Sequence, residues 1–138
     1  MLPWTEILLR LFVATLLTSM IGLEREFKHK PVGFRTNILV GMGSALFMII
    51  SLSFLDSPER IATGVVSGIG FLGAGLIIQS QGELHGITTA ASIWMVAAIG
   101  LATGMGYYSA AVIATILALV VLLIFGKQTL REKFKLDN

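Results

Sequence analysis

Residues 84–126 read LHGITTAASIWMVAAIGLATGMGYYSAAVIATILALVVLLIFG, 43 consecutive positions without Asp, Glu, Lys or Arg. A helix that crosses a bilayer needs about 20 apolar residues, because ~30 Å of hydrocarbon divided by a rise of ~1.5 Å gives that length. The run is therefore two spans. It breaks near Thr103-Gly104-Met105-Gly106-Tyr107-Tyr108, where glycines supply a turn and paired tyrosines suit a membrane interface. Working outward, residues 61–82 are charge-free over 22 positions and residues 36–55 over 20, one span each. Residues 11–23 carry no charge and extend back through Arg10 toward Trp4. The expected fold is all-α. It is a polytopic bundle of five transmembrane helices over residues 1–126, with spans at about 4–23, 36–55, 61–80, 86–103 and 107–126. A basic cytoplasmic tail follows at 127–138. Lipid cannot satisfy free backbone polar groups, so the spans must be helices. The runs lack the alternation that a β-barrel needs.

Composition agrees. Of 138 residues, 55% are hydrophobic and 13% charged, against roughly 25% charged in an ordinary soluble domain. The mean hydropathy is +0.86. A soluble chain this short could not cover its surface with so few polar groups. Cysteine is absent, which excludes disulfides, thiolate metal sites and cysteine nucleophiles. The first segment has no basic leader. Glu24-Arg25-Glu26 follows it where a cleavage site would need small residues, so a retained helix is expected.

Lys and Arg set the orientation. Arg25, Lys28, Lys30 and Arg35 form one group, and Lys127, Arg131, Lys133 and Lys135 a second. Four spans separate them, so both groups share a side. The positive-inside rule places that side in the cytoplasm and the N-terminus outside. The loop at 79–86 is then cytoplasmic, and the 56–60 loop and the 104–108 turn are outside.

No span carries a carboxylate, lysine or histidine near its middle. Proton relays, coupled transporters and intramembrane proteases depend on such groups. No catalytic residues and no enzymatic activity are expected, and nucleic acid is not an expected partner. Arg10 follows Glu6 by four residues and is expected to pair with it while snorkelling to the interface.

Three stretches remain as candidates. Gly64, Gly68, Gly70, Gly73 and Gly75 crowd span 3, and Gly100 and Gly104 repeat a G-x-x-x-G spacing in span 4. Small residues let helix backbones approach in lipid, so these seven are expected to be packing positions. Leucine at Gly70 or Gly73 should then disrupt packing or assembly. The alternative is an interrupted span 3 whose carbonyls face an ion or substrate. Gly68-Ile69-Gly70-Phe71-Leu72-Gly73 spells a dinucleotide fingerprint by letter only, since no βαβ unit surrounds it. At the start of span 4, Thr88 or Thr89 would cap the helix, and Ser92 lies one turn on from Thr88. The same free amides could hold an anion. In the first cytoplasmic loop, Glu24/Lys28 and Glu26/Lys30 are spaced as pairs on a solvated helical extension. Arg35 would sit at the N-terminus of span 2, where the helix dipole disfavours a cation, and so should have an acidic or anionic partner. Glu24 and Glu26 could hold Mg²⁺ through water. Glu24, Arg25, Glu26, Lys30, Arg35, Thr36, Thr88, Thr89 and Ser92 are the candidate ligand- or partner-binding residues, all at the cytoplasmic face.

Four blocks, in order, resemble the MgtC/SapB family of bacterial inner-membrane proteins. They are Gly22-Leu23-Glu24-Arg25-Glu26, Lys30-Pro31-Val32-Gly33-Phe34-Arg35-Thr36, Ser67-Gly68-Ile69-Gly70-Phe71-Leu72-Gly73-Ala74-Gly75 and Gly86-Ile87-Thr88-Thr89-Ala90-Ala91-Ser92-Ile93-Trp94. With only residues 127–138 after the last span, the chain is similar to short, SapB-like members that lack a C-terminal soluble domain. Virulence-type members tend to have Asn where this chain has Thr88, and Cys where it has Met95. The resemblance implies a multi-pass plasma-membrane protein linked to magnesium homeostasis, stress adaptation and survival in host cells. It also implies a regulator of other membrane proteins, such as ATP synthase. No cofactor is implied, and Mg²⁺ enters only as a ligand or signal. The alternative is a transporter of Mg²⁺, a monovalent cation or a small solute, which five short helices could form only as a homodimer or higher oligomer.

Overall fold

A computed structural model describes residues 2–54, 59–80 and 83–125. The tail at 127–138, most of the 56–60 connection and the tip of the 79–86 loop lie outside the described residues. Five helices run α1 (Trp4–Phe27), α2 (Phe34–Ser51), α3 (Glu59–Leu76), α4 (Ile87–Met105) and α5 (Tyr108–Ile124). Three of them, α1, α2 and α4, are long and apolar enough to cross a membrane, and α5 is apolar but shorter. One departure from the all-α expectation joins α3 to α4. Strands β1 (Ile78–Ser80) and β2 (Glu83–His85) pair antiparallel, with Gln79 opposite Leu84. Span 3 therefore ends at Leu76 and not at residue 80. Polar Gln79 and Ser80 are poor material for the end of a spanning helix, and a hairpin pairs their backbone instead.

Local chemistry explains the helix ends. Pro3 precedes α1, and its carbonyl accepts from the amides of Glu6 and Ile7. At the other end, Lys30 N–H bonds Arg25 O and His29 N–H bonds Glu26 O. This is the Schellman closure, with His29 at φ 50° in the left-handed position that glycine usually fills. Gly106 closes α4 in the same way, at φ 90°. Gly86 opens α4 at φ 88°, and a Cβ there would strike the Leu76 carbonyl. Gly86 is thus the N-cap of α4. The expected Thr88 or Thr89 cap is not made, because both lie inside the first turn.

Helix α4 is the centre of the bundle and touches α1, α2, α3 and α5. Leu17, Ile21, Val96, Ile99, Ala111 and Leu122 form one buried cluster among α1, α4 and α5. Val32, Ile69, Ile93 and Ala97 form a second beneath α3. Bulky residues such as Phe12, Leu39, Phe71 and Ile113 stay exposed on the perimeter. That is the expected distribution when the outer solvent is lipid.

The closest approaches use glycine. A Cβ at Gly100 would meet the Gly41 carbonyl and lie 2.8 Å from Ser44 Cβ. At Gly104 it would lie 2.5 Å from Ala45 O and 2.7 Å from Met48 Cβ. On the other side of α2, Gly41 faces Thr18 of α1, and Gly22 would bring a Cβ to 3.0 Å from the Phe34 backbone. Span 3 behaves differently. Helix α3 is continuous through its glycines, so the interrupted form is not seen. Gly73 alone of its five has a neighbour, Ala90 at 3.5 Å; Gly64, Gly68, Gly70 and Gly75 face open space. Among the described residues these four meet no neighbour, because α3 leans on the rest of the bundle through a strip of Val65, Ile69, Gly73 and Leu76.

Two outcomes follow for stability in detergent. Gly100→Ala and Gly104→Ala should each cost about 2 kcal/mol, because carbonyls of α2 cannot yield to an extra methyl. Gly64→Ala and Gly70→Ala should be neutral or gain up to about 1 kcal/mol from helix propensity. Thermal unfolding followed by circular dichroism separates the two classes, and similar losses in both would refute the packing map.

Candidate functional site

The end of the bundle where α1 and α5 finish and α2 and α4 begin collects most of the candidate residues. Glu24 and Arg25 come from the last turns of α1 and are buried, with side chains 5% and 4% exposed. Glu24 Oε1 lies 2.8 Å from Lys28 Nζ, and Glu24 Oε2 lies 3.6 Å from Arg25 Nη1. Lys28 also donates to the Leu122 carbonyl of α5 at 2.7 Å. The Glu24/Lys28 spacing thus forms its pair, but in the interior and not on a solvated extension. A cation on the last carbonyls of a helix suits both the open acceptors and the dipole. One carboxylate balances two cations here. Both Glu24 oxygens and Arg25 Nε are buried without an aligned hydrogen bond, so charge, more than hydrogen-bond geometry, holds the cluster.

Glu26 points elsewhere. Its Oε2 accepts from the Phe34 amide at 2.9 Å and so closes the N-terminus of α2. A Cβ at Gly33 would meet this carboxylate, whose flexible side chain would have to shift. The expected Glu26/Lys30 pair is not formed, because α1 ends at Phe27 and His29 turns the chain before Lys30. Glu24 and Glu26 thus have different partners, and they do not converge as a metal pair. Among the described residues no three His, Asp or Glu side chains gather for a metal.

Arg35 and Thr36 stand exposed on the first turn of α2. Among the described residues Arg35 has no acidic partner, contrary to the expectation that Glu24 or Glu26 would supply one. Both carboxylates are already committed. On α4, Thr88 is exposed and Thr89 buried, and Ser92 donates to the Thr89 carbonyl at 2.8 Å. Thr88 and Ser92 line a cavity of about 240 Å³ with Ile21 of α1 and Leu122 of α5, which brings these two to the charged end.

Sequence reasoning passed over Asn37. It is fully buried, and its amide donates to Val32 O at 3.2 Å and Gly33 O at 2.8 Å, holding the turn before α2. Its Oδ1 has no partner among the described residues. An asparagine inside an otherwise apolar run was the available signal. The opposite end carries a second clamp. Arg10 pairs with Glu6 at 2.9 Å as expected. It does not snorkel, however: its side chain is 11% exposed and donates to the Gly104 carbonyl at 2.7 Å. The C-terminus of α4 lies within reach and offers better acceptors than the interface does. Tyr108 O–H donates to Glu6 at 3.0 Å and adds α5 to the clamp.

Apolar helices around a glycine-packed centre, with charges confined to the ends, define an α-helical membrane protein. The sequence matches the MgtC family over residues 11–130, and the chain belongs to that family. It is 43% identical over 136 residues to the protein named "Putative magnesium transporter YhiD" of Escherichia coli K12, covering 91% of this chain and 63% of that one. It is 45% identical over 113 residues to Protein MgtC of Salmonella typhimurium, covering 81% and 49%. The uncharacterized protein slr0014 of Synechocystis is 44% identical over 121 residues, covering 86% and 52%. The chain thus spans about half to two thirds of the length of these relatives. No solved structure matches it.

Replacing Glu24 tests the cluster. Glu24→Gln leaves Arg25 buried without a counter-charge and should cost about 3 kcal/mol. Lys28→Met removes one cap and should cost about 1 kcal/mol. Thermal melts of the two variants should fall in that order, and an unchanged Glu24→Gln would show that the pair contributes nothing.

Proposed function

We propose that this chain is a five-span protein of the bacterial inner membrane, with its N-terminus outside and its C-terminus cytoplasmic. It acts in magnesium homeostasis and stress adaptation as a non-enzymatic regulator of other membrane proteins. One observation carries the reading. The ionisable groups best placed to move an ion, Glu24 and Lys28 at one end and Glu6 and Arg10 at the other, are tied to each other and to helix-end carbonyls. Groups so engaged hold helices in register and are poorly suited to passing a cargo. The continuous α3 supports the same reading. Self-association into a homodimer or higher oligomer, and contact with a membrane partner such as ATP synthase, belong to this proposal through the family.

A transport reading is favoured by the name of the YhiD relative. It would place the ion path between copies of the chain. Reconstitution decides between the two. Purified protein in liposomes should give no Mg²⁺, K⁺ or H⁺ flux above protein-free vesicles. Flux that a Glu24→Ala/Arg35→Ala double variant abolishes would replace the regulator with a transporter.

A further inference from the structure

Arg35 and Lys30 are the candidate cations whose expected acidic partners are missing among the described residues, and of the two Arg35 is set on a helix N-terminus. Its guanidinium is exposed at the first turn of α2, where the helix dipole opposes it. The Phe34 amide is taken by Glu26, while the amides of Arg35 and Thr36 meet no acceptor among the described residues. Two spaces meet beside it at Thr36. The first is a cleft of about 500 Å³ whose walls include Glu26, Gly33, Arg35 and Thr36, so that it carries one charge of each sign. The second is a groove of about 550 Å³ between α2 and α3, lined almost wholly by hydrocarbon. It runs along α2 from Thr36 to Phe47, about 17 Å of helix, which is close to one leaflet of a ~30 Å hydrocarbon core. The groove exists because Gly43, Gly64 and Gly68 have open space where a Cβ would stand.

We propose that these two neighbouring spaces, which share Thr36 as a wall, together bind a glycerophospholipid whose headgroup carries a phosphate and a primary ammonium. The phosphate meets Arg35 and the free amides of α2, which supplies the missing anion. The ammonium meets Glu26 Oε1, the oxygen that the Phe34 amide leaves open. One acyl chain lies along the α2–α3 groove. A polar pocket with both charges, sharing Thr36 with an apolar slot one leaflet long, matches such a molecule in charge order and in length. The inference goes beyond the regulator reading and does not depend on which way the chain crosses the membrane.

The test is lipid retention by the full chain in mild detergent, counted by native mass spectrometry with phosphatidylethanolamine, phosphatidylglycerol and phosphatidylcholine as probes. Phosphatidylethanolamine should be held about tenfold more tightly than the other two. Arg35→Gln should weaken it about tenfold, and Arg35→Lys should restore part of the loss. Glu26→Gln should erase the preference for the primary ammonium. Gly68→Leu, which fills the groove far from either charge, should lower retention of all three lipids. Helicity by circular dichroism identifies any variant that fails to fold. Arg35→Gln and Gly68→Leu act at separate places, so one folded variant suffices. Retention unchanged in a folded Arg35→Gln or Gly68→Leu would overturn the proposal. So would competition by free phosphoethanolamine at the same concentration as the lipid, which would mean a headgroup site to which the chain adds nothing. Loss of a dimer in Gly68→Leu with lipid counts unchanged would give the groove to a second copy and overturn it as well. None of these readings uses ion flux, so failure here leaves the regulator reading standing, and flux in liposomes leaves this one standing.

Discussion

The bundle depends on the approach of α2 to its two neighbours, α1 at Gly22 and Gly41 and α4 at Gly100 and Gly104. In lipid there is no hydrophobic gain from bringing two apolar helices together, because acyl chains are as apolar as leucine. What remains is dispersion between closely fitted surfaces, and that falls off steeply with a small gap. Glycine at these positions lets backbone meet backbone. The other helices are arranged around this three-helix slab. Helix α5 closes the face between α1 and α4, while α3 leans on the slab by a narrow strip and leaves a groove beside α2.

Backbone satisfaction accounts for where the charges sit. Each helix end leaves carbonyls or amides without partners, and lipid offers none. Helix α1 supplies the remedy twice. Near its start, Arg10 reaches the end of α4; near its finish, Lys28 reaches the end of α5. Each cation is steadied by a glutamate one turn earlier, Glu6 and Glu24. Glu26 does the converse job for the amide end of α2. Glu24, Arg25, Glu26 and Lys28, which read from the sequence as part of a solvated loop, are therefore part of the frame, whereas Lys30 and Arg35 stay exposed outside it.

The helices were legible because charge-free length is a strong signal, and the Gly106 turn was legible because two glycines interrupt a long apolar run. The packing partners were not. Gly64/Gly68 and Gly100/Gly104 have the same spacing, yet only the second pair meets another helix. Spacing states that a face is smooth and does not state what lies opposite. Gly41 was overlooked for the complementary reason, since its partner Thr18 is a small polar residue and not a glycine. The inward turn of Arg10 required knowing that the end of α4 lies beside it. At the charged end, proximity in sequence suggested that Arg35 would find Glu24 or Glu26, but a turn at His29 and a bend at Pro31 and Val32 redirect the chain between them. The placement of Glu24, Arg25 and Glu26 at one end could be read; their partners could not.

The two clamps on α1 also make that helix a gauge. Arg10 and Lys28 are eighteen residues apart, about 27 Å along the axis, and each is fastened to a different helix. Their spacing cannot stretch without breaking a cap at one end. The apolar height of the protein is thereby set close to the thin end of the range of biological bilayers, where the hydrocarbon is about 27 Å deep. In a thicker membrane the lipid, not the protein, would have to deform. The resulting mismatch, a fraction of a kcal/mol per Å, would favour thin regions of the membrane.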